Sequence, residues 1–143
     1  MADDISTVSP EQIDVQDFSW PFWLILPLYP YGKRRTIRKE VVKDTIWTFD
    51  QMQGIFYVVV PIRMTVVKLD QGGLLVYAPV APTPECVRLV QELVAEHGDV
   101  KYIILPTVSG LEHKVFVGPF ARYFPSAQVF VTPHQWSFPL NLP

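Results

Sequence analysis

The sequence holds one cysteine, Cys86, and therefore no internal disulfide framework; a lone thiol fits a reducing compartment. No uninterrupted apolar run reaches the roughly 20 residues of a membrane-spanning helix. The start, with Asp3 and Asp4, lacks the basic and apolar regions of a secretory signal. Positive charge is not in excess: the formal net charge of -2 gives no case for nucleic acid, which calls for a basic domain or stripe. No Gly-rich phosphate cradle appears, because Gly72-Gly73 reads as a hairpin turn, and no Ser, His and Asp arrangement stands out. Repeats and low-complexity tracts are missing too. What remains, with 49% hydrophobic and 18% charged residues among 143, is the expectation of a soluble, one-domain globular chain with a core of its own.

Charge is unevenly placed. Residues 1–17 carry five acids and no base, and read as a flexible acidic arm. Residues 18–44 read as a belt and a basic segment. "FSWPFWLILPLYPYG" is dense in aromatics and broken by Pro21, Pro27 and Pro30, which forbid a regular helix or a central strand. It leads into "KRRTIRK", which holds five of the twelve Lys and Arg residues. Trp and Tyr favour a membrane–water boundary, and each nearby base gains about 1 kcal/mol from anionic lipid. Trp20, Phe22, Trp23, Tyr29, Tyr31, Lys33, Arg34, Arg35, Arg38 and Lys39 are thus the candidates for a partner or membrane-binding edge. In the blander reading the aromatics cover an apolar sheet face or edge of the same domain and the bases are solvated.

From Thr45 the pattern turns β. "TIWTFDQM" is a strand candidate, and "GIFYVVVPIRMTVVKL" reads as two strand pieces meeting at a bend near Pro61. "DQGG" is a turn, and "LLVYAPV" a strand buried on both faces. "APTPECVRLVQELVAEHGD" switches to helical period, with Thr83 as cap, Pro84 in the first helical position and Gly98 at the exit. Cys86, Leu89, Val90, Leu93 and Val94 share its apolar face, with Glu85, Arg88, Glu92 and Glu96 elsewhere; a buried Cys86 is no nucleophile. His97 falls at the helix C-terminus and needs no function. "VKYIILPT" is a second buried strand. A short helical region follows Leu111, interrupted at Gly118-Pro119, and "AQVFVTP" is the last strand. This order implies an α/β fold, a mixed sheet with two helical segments and right-handed crossovers.

Groups beyond the carboxyl ends of parallel strands gather on one rim. There "PTVSGLEHK" and "TPHQ" bring Glu112, His113 and His134 into play, ligand types that suit zinc or iron. The order of strands and helices from Thr45, with Thr107, resembles the N-terminal half of a metallo-β-lactamase-like αββα fold. In that superfamily the corresponding strand ends in Thr and then His-x-His-x-Asp-His. Here Val108 and Gly110 occupy the first two His positions, Glu112 the Asp and His113 the last His; Tyr77-Ala78 stands where active members carry Asp before Gly. More closely, "YPYGKRRTIRKEVV", "IWTFDQMQGIFYVVVPIRMTVVKL" and "ILPTVSGLEHKVFVGPFARYFP" resemble an uncharacterised domain-of-unknown-function family of photosynthetic organisms, grouped with that superfamily.

The resemblance implies a half domain over 45–143 with a degenerate metal site. It points to a non-catalytic binding or assembly factor without a cofactor, with a protein partner or self-association, at a photosynthetic membrane complex. The location implied is cytoplasmic or plastid, on the cytosolic or stromal face of the thylakoid. The alternative is a metal-dependent hydrolase with Glu112, His113 and His134 around one zinc or iron. A third reading makes the chain one section of a longer or split protein.

Overall fold

The computed structural model describes residues 19–21, 32–55, 58–109 and 112–135, with Ile55 described by its backbone alone. Among them are six strands and two helices: β1 (Ile37–Val42), β2 (Ile46–Ile55), β3 (Val58–Lys68), β4 (Leu74–Tyr77), α1 (Pro84–His97), β5 (Val100–Leu105), α2 (Lys114–Ala121) and β6 (Gln128–Val131). They form one mixed sheet in sequence order, β1-β2-β3-β4-β5-β6. The first four strands are antiparallel neighbours, while β4, β5 and β6 run parallel. The expected mixed α/β sheet with two helices is the architecture observed.

This monotonic order fixes the layering. Each parallel step, β4-α1-β5 and β5-α2-β6, advances in the same direction, so two right-handed crossovers put both helices on the same face. The core agrees. Trp47, Phe49, Met64, Val66, Leu74, Val76 and Ile103 alternate along their strands on one face and cluster with Cys86, Leu89, Val90 and Leu93 of α1 and with Phe116 and Phe120 of α2. Side chains of the intervening positions point to the opposite face, which no described element covers.

Helix α1 forms as its caps dictate. Thr83 Oγ1 accepts from the Cys86 N–H at 3.2 Å, Pro84 opens the helix, and Gly98 ends it with φ 96. Gly98 meets Gly73 (φ 86) where the β3–β4 turn approaches the helix exit. A Cβ on Gly73 would lie 2.8 Å from the Asp99 carbonyl oxygen, so this backbone approach needs glycine.

Several expectations are corrected. Pro61 does not bend a strand: β3 runs through it, paired with Met52 of β2. β4 reaches only Thr65 to Lys68, so at Pro61 the other side of β3 is an open edge, where a missing N–H costs no ladder bond. The chain instead reverses between Ile55 and Val58. Strand β4 is buried on one face only, with Tyr77 45% exposed on the other. Helix α2 continues through Gly118 and Pro119; it ends two residues later, so little helix remains for the proline to disrupt. Glu85 turns inward, for reasons given below. The basic segment also contributes a strand, β1, whose charges hid its extended pattern.

Candidate functional site

The rim at the ends of β4, β5 and β6 is stitched by polar contacts. Beyond β5, Thr107 Oγ1 accepts from the Ser109 N–H at 3.0 Å. The Gln135 amide donates to the Thr107 carbonyl and to Thr132 Oγ1, both at 2.7 Å, tying the exits of β5 and β6. His113, just before α2, is half-buried. Its Nδ1 stands 3.0 Å from the Pro79 carbonyl; a carbonyl only accepts, so Nδ1 carries the proton and Nε2 holds the lone pair. Glu112 is exposed, and His134 is exposed in a left-handed turn with φ 63. Among the described residues no three His, Cys, Asp or Glu side chains converge as a cation-binding group, so the structure does not gather Glu112, His113 and His134. Ligand crevices of open α/β sheets form where strand order reverses; this order contains no reversal.

The basic segment is turned inward. Arg34 is 1% exposed, its guanidinium 5.1 Å from the Phe116 ring centroid, and Nη1 donates to the Met52 carbonyl at 3.3 Å. Burial lowers its pKa to about 10. Glu85, 5% exposed, takes Arg35 Nε at 3.3 Å and the Thr36 N–H at 3.1 Å, close to the positive end of α1. Arg38 donates to Glu92 at 2.8 Å and to the Leu89 carbonyl at 3.0 Å. Arg35 and Arg38 therefore strap β1 and its entry onto α1, Arg34 is held against α2 and β2, and Lys33 and Lys39 stay exposed.

Trp20, 1% exposed, packs edge-on against Phe116 with ring centroids 5.3 Å apart. The Trp20 backbone N–H donates to the Gly32 carbonyl at 3.0 Å, closing the base of the belt. Trp20 and Arg34, expected at a partner or membrane edge, are thus interior: the first strand needs an apolar and a long polar side chain to fill the space beside α2. Phe22, Trp23, Tyr29 and Tyr31 lie outside the described residues, as does the arm 1–17. Beside Trp20 opens a groove of about 260 Å³, lined also by Pro21, Pro82, Pro119, Arg122 and Tyr123. Among these described lining residues there is no carboxylate, imidazole or thiol.

One functional group escaped the sequence reading. Gln51, 2% exposed, donates Nε2–H to the Ala81 carbonyl at 2.8 Å and to Thr36 Oγ1 at 2.9 Å, while Oε1 accepts the Ala81 N–H at 3.1 Å. An amide is the side chain that copies a peptide group's donor and acceptor, and here it stands in for a strand partner to the β4–α1 loop. A polar residue within an apolar alternation was the available signal.

The face opposite the helices has its own geometry. Direct strand partners place Lys39, Thr48, Thr65, Tyr77, Ile104 and Phe130 in one row across the sheet. The next row runs Ile46, Val67, Leu75, Tyr102 and Gln128. Toward β4–β6 the surface is apolar, with Tyr77 at 45% and Phe130 at 52% exposure and Tyr102 6.0 Å from Phe130, ring to ring. Toward β1 it is polar, but Arg63 and Asp50 neutralise each other through bonds of 2.6 and 2.9 Å. Ile37 and Met52, 43% and 48% exposed, flank that pair.

Two comparisons bear on this geometry. A family profile described as a domain of unknown function, DUF4336, matches residues 43–143, which includes β2 to β6 and both helices. No curated protein matches the chain.

Proposed function

The chain belongs to the DUF4336 family, and we propose that it is a non-catalytic binding or assembly module whose bare sheet face receives the apolar surface of a protein partner. The observation that carries this is the one-sided layering: half-exposed Tyr77, Phe130, Met52 and Ile37 lie on a face that no described helix or strand covers. An exposed apolar patch, such as the one Tyr77, Tyr102 and Phe130 form toward β4–β6, marks an interaction site more often than a solvent boundary. Its chemistry favours protein. The Arg63–Asp50 pair cancels its own charge, and Lys39 adds one exposed cation. With the arginines engaged by α1 and by the core, Lys33 and Lys39 are left to attract anionic lipid, worth about 1 kcal/mol each.

We also propose that the domain is a half-length, degenerate relative of the metallo-β-lactamase-like folds. The order β4-α1-β5-α2 and the placing of Thr107 and His113 support this, and the partner would supply the second layer. The likeness to sequences of photosynthetic organisms supports a place in a photosynthetic membrane complex, on its cytosolic or stromal side.

The test is site-specific photocrosslinking in the source cells, with the reactive residue at Met52 or Tyr77 on the sheet face and at Glu96 on the helix side. One discrete protein should be captured from positions 52 and 77, none from 96, and the capture from position 52 should fall at least tenfold with Tyr77→Lys. Equal capture from both sides, or none from the sheet face, overturns the proposal.

A second reading, a metal-dependent hydrolase using Glu112, His113 and His134 around zinc or iron, has one observation in its favour. The Nδ1–H bond to Pro79 orients the imidazole as outer partners orient metal-binding histidines, leaving Nε2 to bind a cation whose water would act as nucleophile. It requires stoichiometric metal in the purified protein, lost in His113→Ala. Metal-free protein with a melting temperature unmoved by zinc discards it.

A further inference from the structure

The two edges of the sheet are built differently. β1 is blunted in the ways exposed edges usually are: it carries Arg38, Lys39 and Glu40, its register shifts between Glu40 and Val42, and Arg38 is strapped to α1. β6 has none of this. Gln128, Val129, Phe130 and Val131 are all exposed, with Val129 at 45%, Phe130 at 52% and Val131 at 46%. The strand holds no charge, proline or bulge, and no described strand pairs beyond it.

We infer that β6 is a self-association edge, pairing antiparallel with β6 of a second copy about a twofold axis normal to the sheet. The backbone supplies the register. The Thr132 N–H bonds the Leu105 carbonyl of β5 at 3.2 Å, and a residue's N–H and C=O point to the same side of a strand, alternating along it. Residues 128, 130 and 132 therefore face β5, while Val129 and Val131 direct their N–H and C=O outward. Setting Val129 opposite the partner copy's Val131, and the reverse, uses all of these groups in four mutual hydrogen bonds. Pro133, without an N–H, ends the ladder.

This register is self-complementary on both faces. Val129 and Val131 meet their counterparts on the helix side. Phe130 falls on the axis opposite its counterpart, at the closely spaced type of pair, and extends the Tyr102–Phe130 contact across the seam.

A second copy is the occupant that this edge fits. Its outward groups come as equal donors and acceptors in a two-fold arrangement, and no charge on the strand opposes its own copy. The alternative of β6 pairing with β1 would build an open filament, which the blunted β1 edge resists, whereas β6 with β6 closes as a dimer. The area is small beside the ~800 Å² per partner of a stable complex, so the dimer is weak, with a Kd on the order of 10–100 µM. This edge shares only Phe130 with the face assigned to a protein partner, and its test reads the backbone ladder through Val131, so either assignment stands if the other fails.

Sedimentation equilibrium of the full chain across the micromolar to millimolar range tests it. The mass should rise from one chain to two and stop there. Val131→Lys should raise the midpoint concentration at least tenfold, and Val42→Lys on the opposite edge should leave it unchanged. Under oxidation Phe130→Cys should give a disulfide-linked dimer, while Val42→Cys, at the β1 edge, should not. The native thiol will not interfere, since Cys86 is fully buried. A parent chain monomeric throughout, assembly beyond two copies, a Val131→Lys dimer as strong as the parent's, or equal crosslinking from positions 42 and 130 overturns the inference.

Discussion

Replacing Arg34 by methionine should make this protein more stable, although it deletes a core side chain's hydrogen bond. The guanidinium is 1% exposed, and its Nε and Nη2 have no hydrogen-bond partner among the described residues. Lowering its pKa to about 10 corresponds to about 3 kcal/mol against the charged form. Two contacts offset part of this. The stacking on Phe116 is worth up to about 2 kcal/mol when desolvated, and the 3.3 Å bond to the Met52 carbonyl adds about 1. Methionine fills similar space with a flexible apolar chain and gains burial worth about 1–2 kcal/mol. The expected net gain is about 1 kcal/mol, or a melting temperature about 3 °C higher.

Arg34→Ala should lose about 2–4 kcal/mol instead, through the cavity it leaves. Opposite signs for the two variants are the signature of a buried charge that volume, not charge, justifies. The sign with pH follows from the lowered pKa: the folded state holds the proton less tightly, so the cost is full below about pH 10 and fades as pH rises toward the unfolded value. The methionine gain should therefore be constant between about pH 6 and 9. Urea titrations of parent and variants measure all of this. A methionine variant as damaged as the alanine one would refute the reasoning, because it would mean that the guanidinium's Nε and Nη2 have a strongly bound anionic partner.

Two further outcomes are expected. Gln51→Leu keeps the volume but orphans the Ala81 N–H inside the core and leaves the Ala81 C=O with the Thr83 N–H alone, and should lower stability by about 1–3 kcal/mol; a urea midpoint within error of the parent would remove its clamp role. Ala78 sits in the left-handed region with φ 59, so Ala78→Gly, which ordinarily costs about 0.5–1 kcal/mol, should be neutral or stabilising here, and a melting temperature several degrees lower would contradict this.

Much of the scaffold was written locally. The Thr83–Pro84 cap, the helical period through Leu93, the Gly98 exit and the β-branched runs of β3 to β6 each depend on a few neighbouring residues, so the α/β class and the element order could be read along the chain. Cys86 and His97 also fell where periodicity placed them. Pro61 and Pro119 misled for the same local reason: their cost depends on whether a partner is present to lose a bond, and that is decided by distant strands and by where a helix stops.

The candidate site was less legible. "KRRTIRK" has the composition of a solvated basic patch, yet Arg35 and Arg38 answer carboxylates about fifty positions away, and Arg34 lies on Phe116. Likewise Glu112, His113 and His134 share a rim by topology, but the side chains' separate orientations, not their sequence spacing, determine whether donors converge.

The sequence by itself determined the elements, their order and the handedness of their connections, since propensity, capping and chirality act within a few residues. Only the tertiary structure decided which charges are consumed, which face of the sheet is bare and which edge is unprotected. Those properties arise from where both helices land on a sheet whose strands never reverse order, and side-chain pairing across that sheet spans the whole chain.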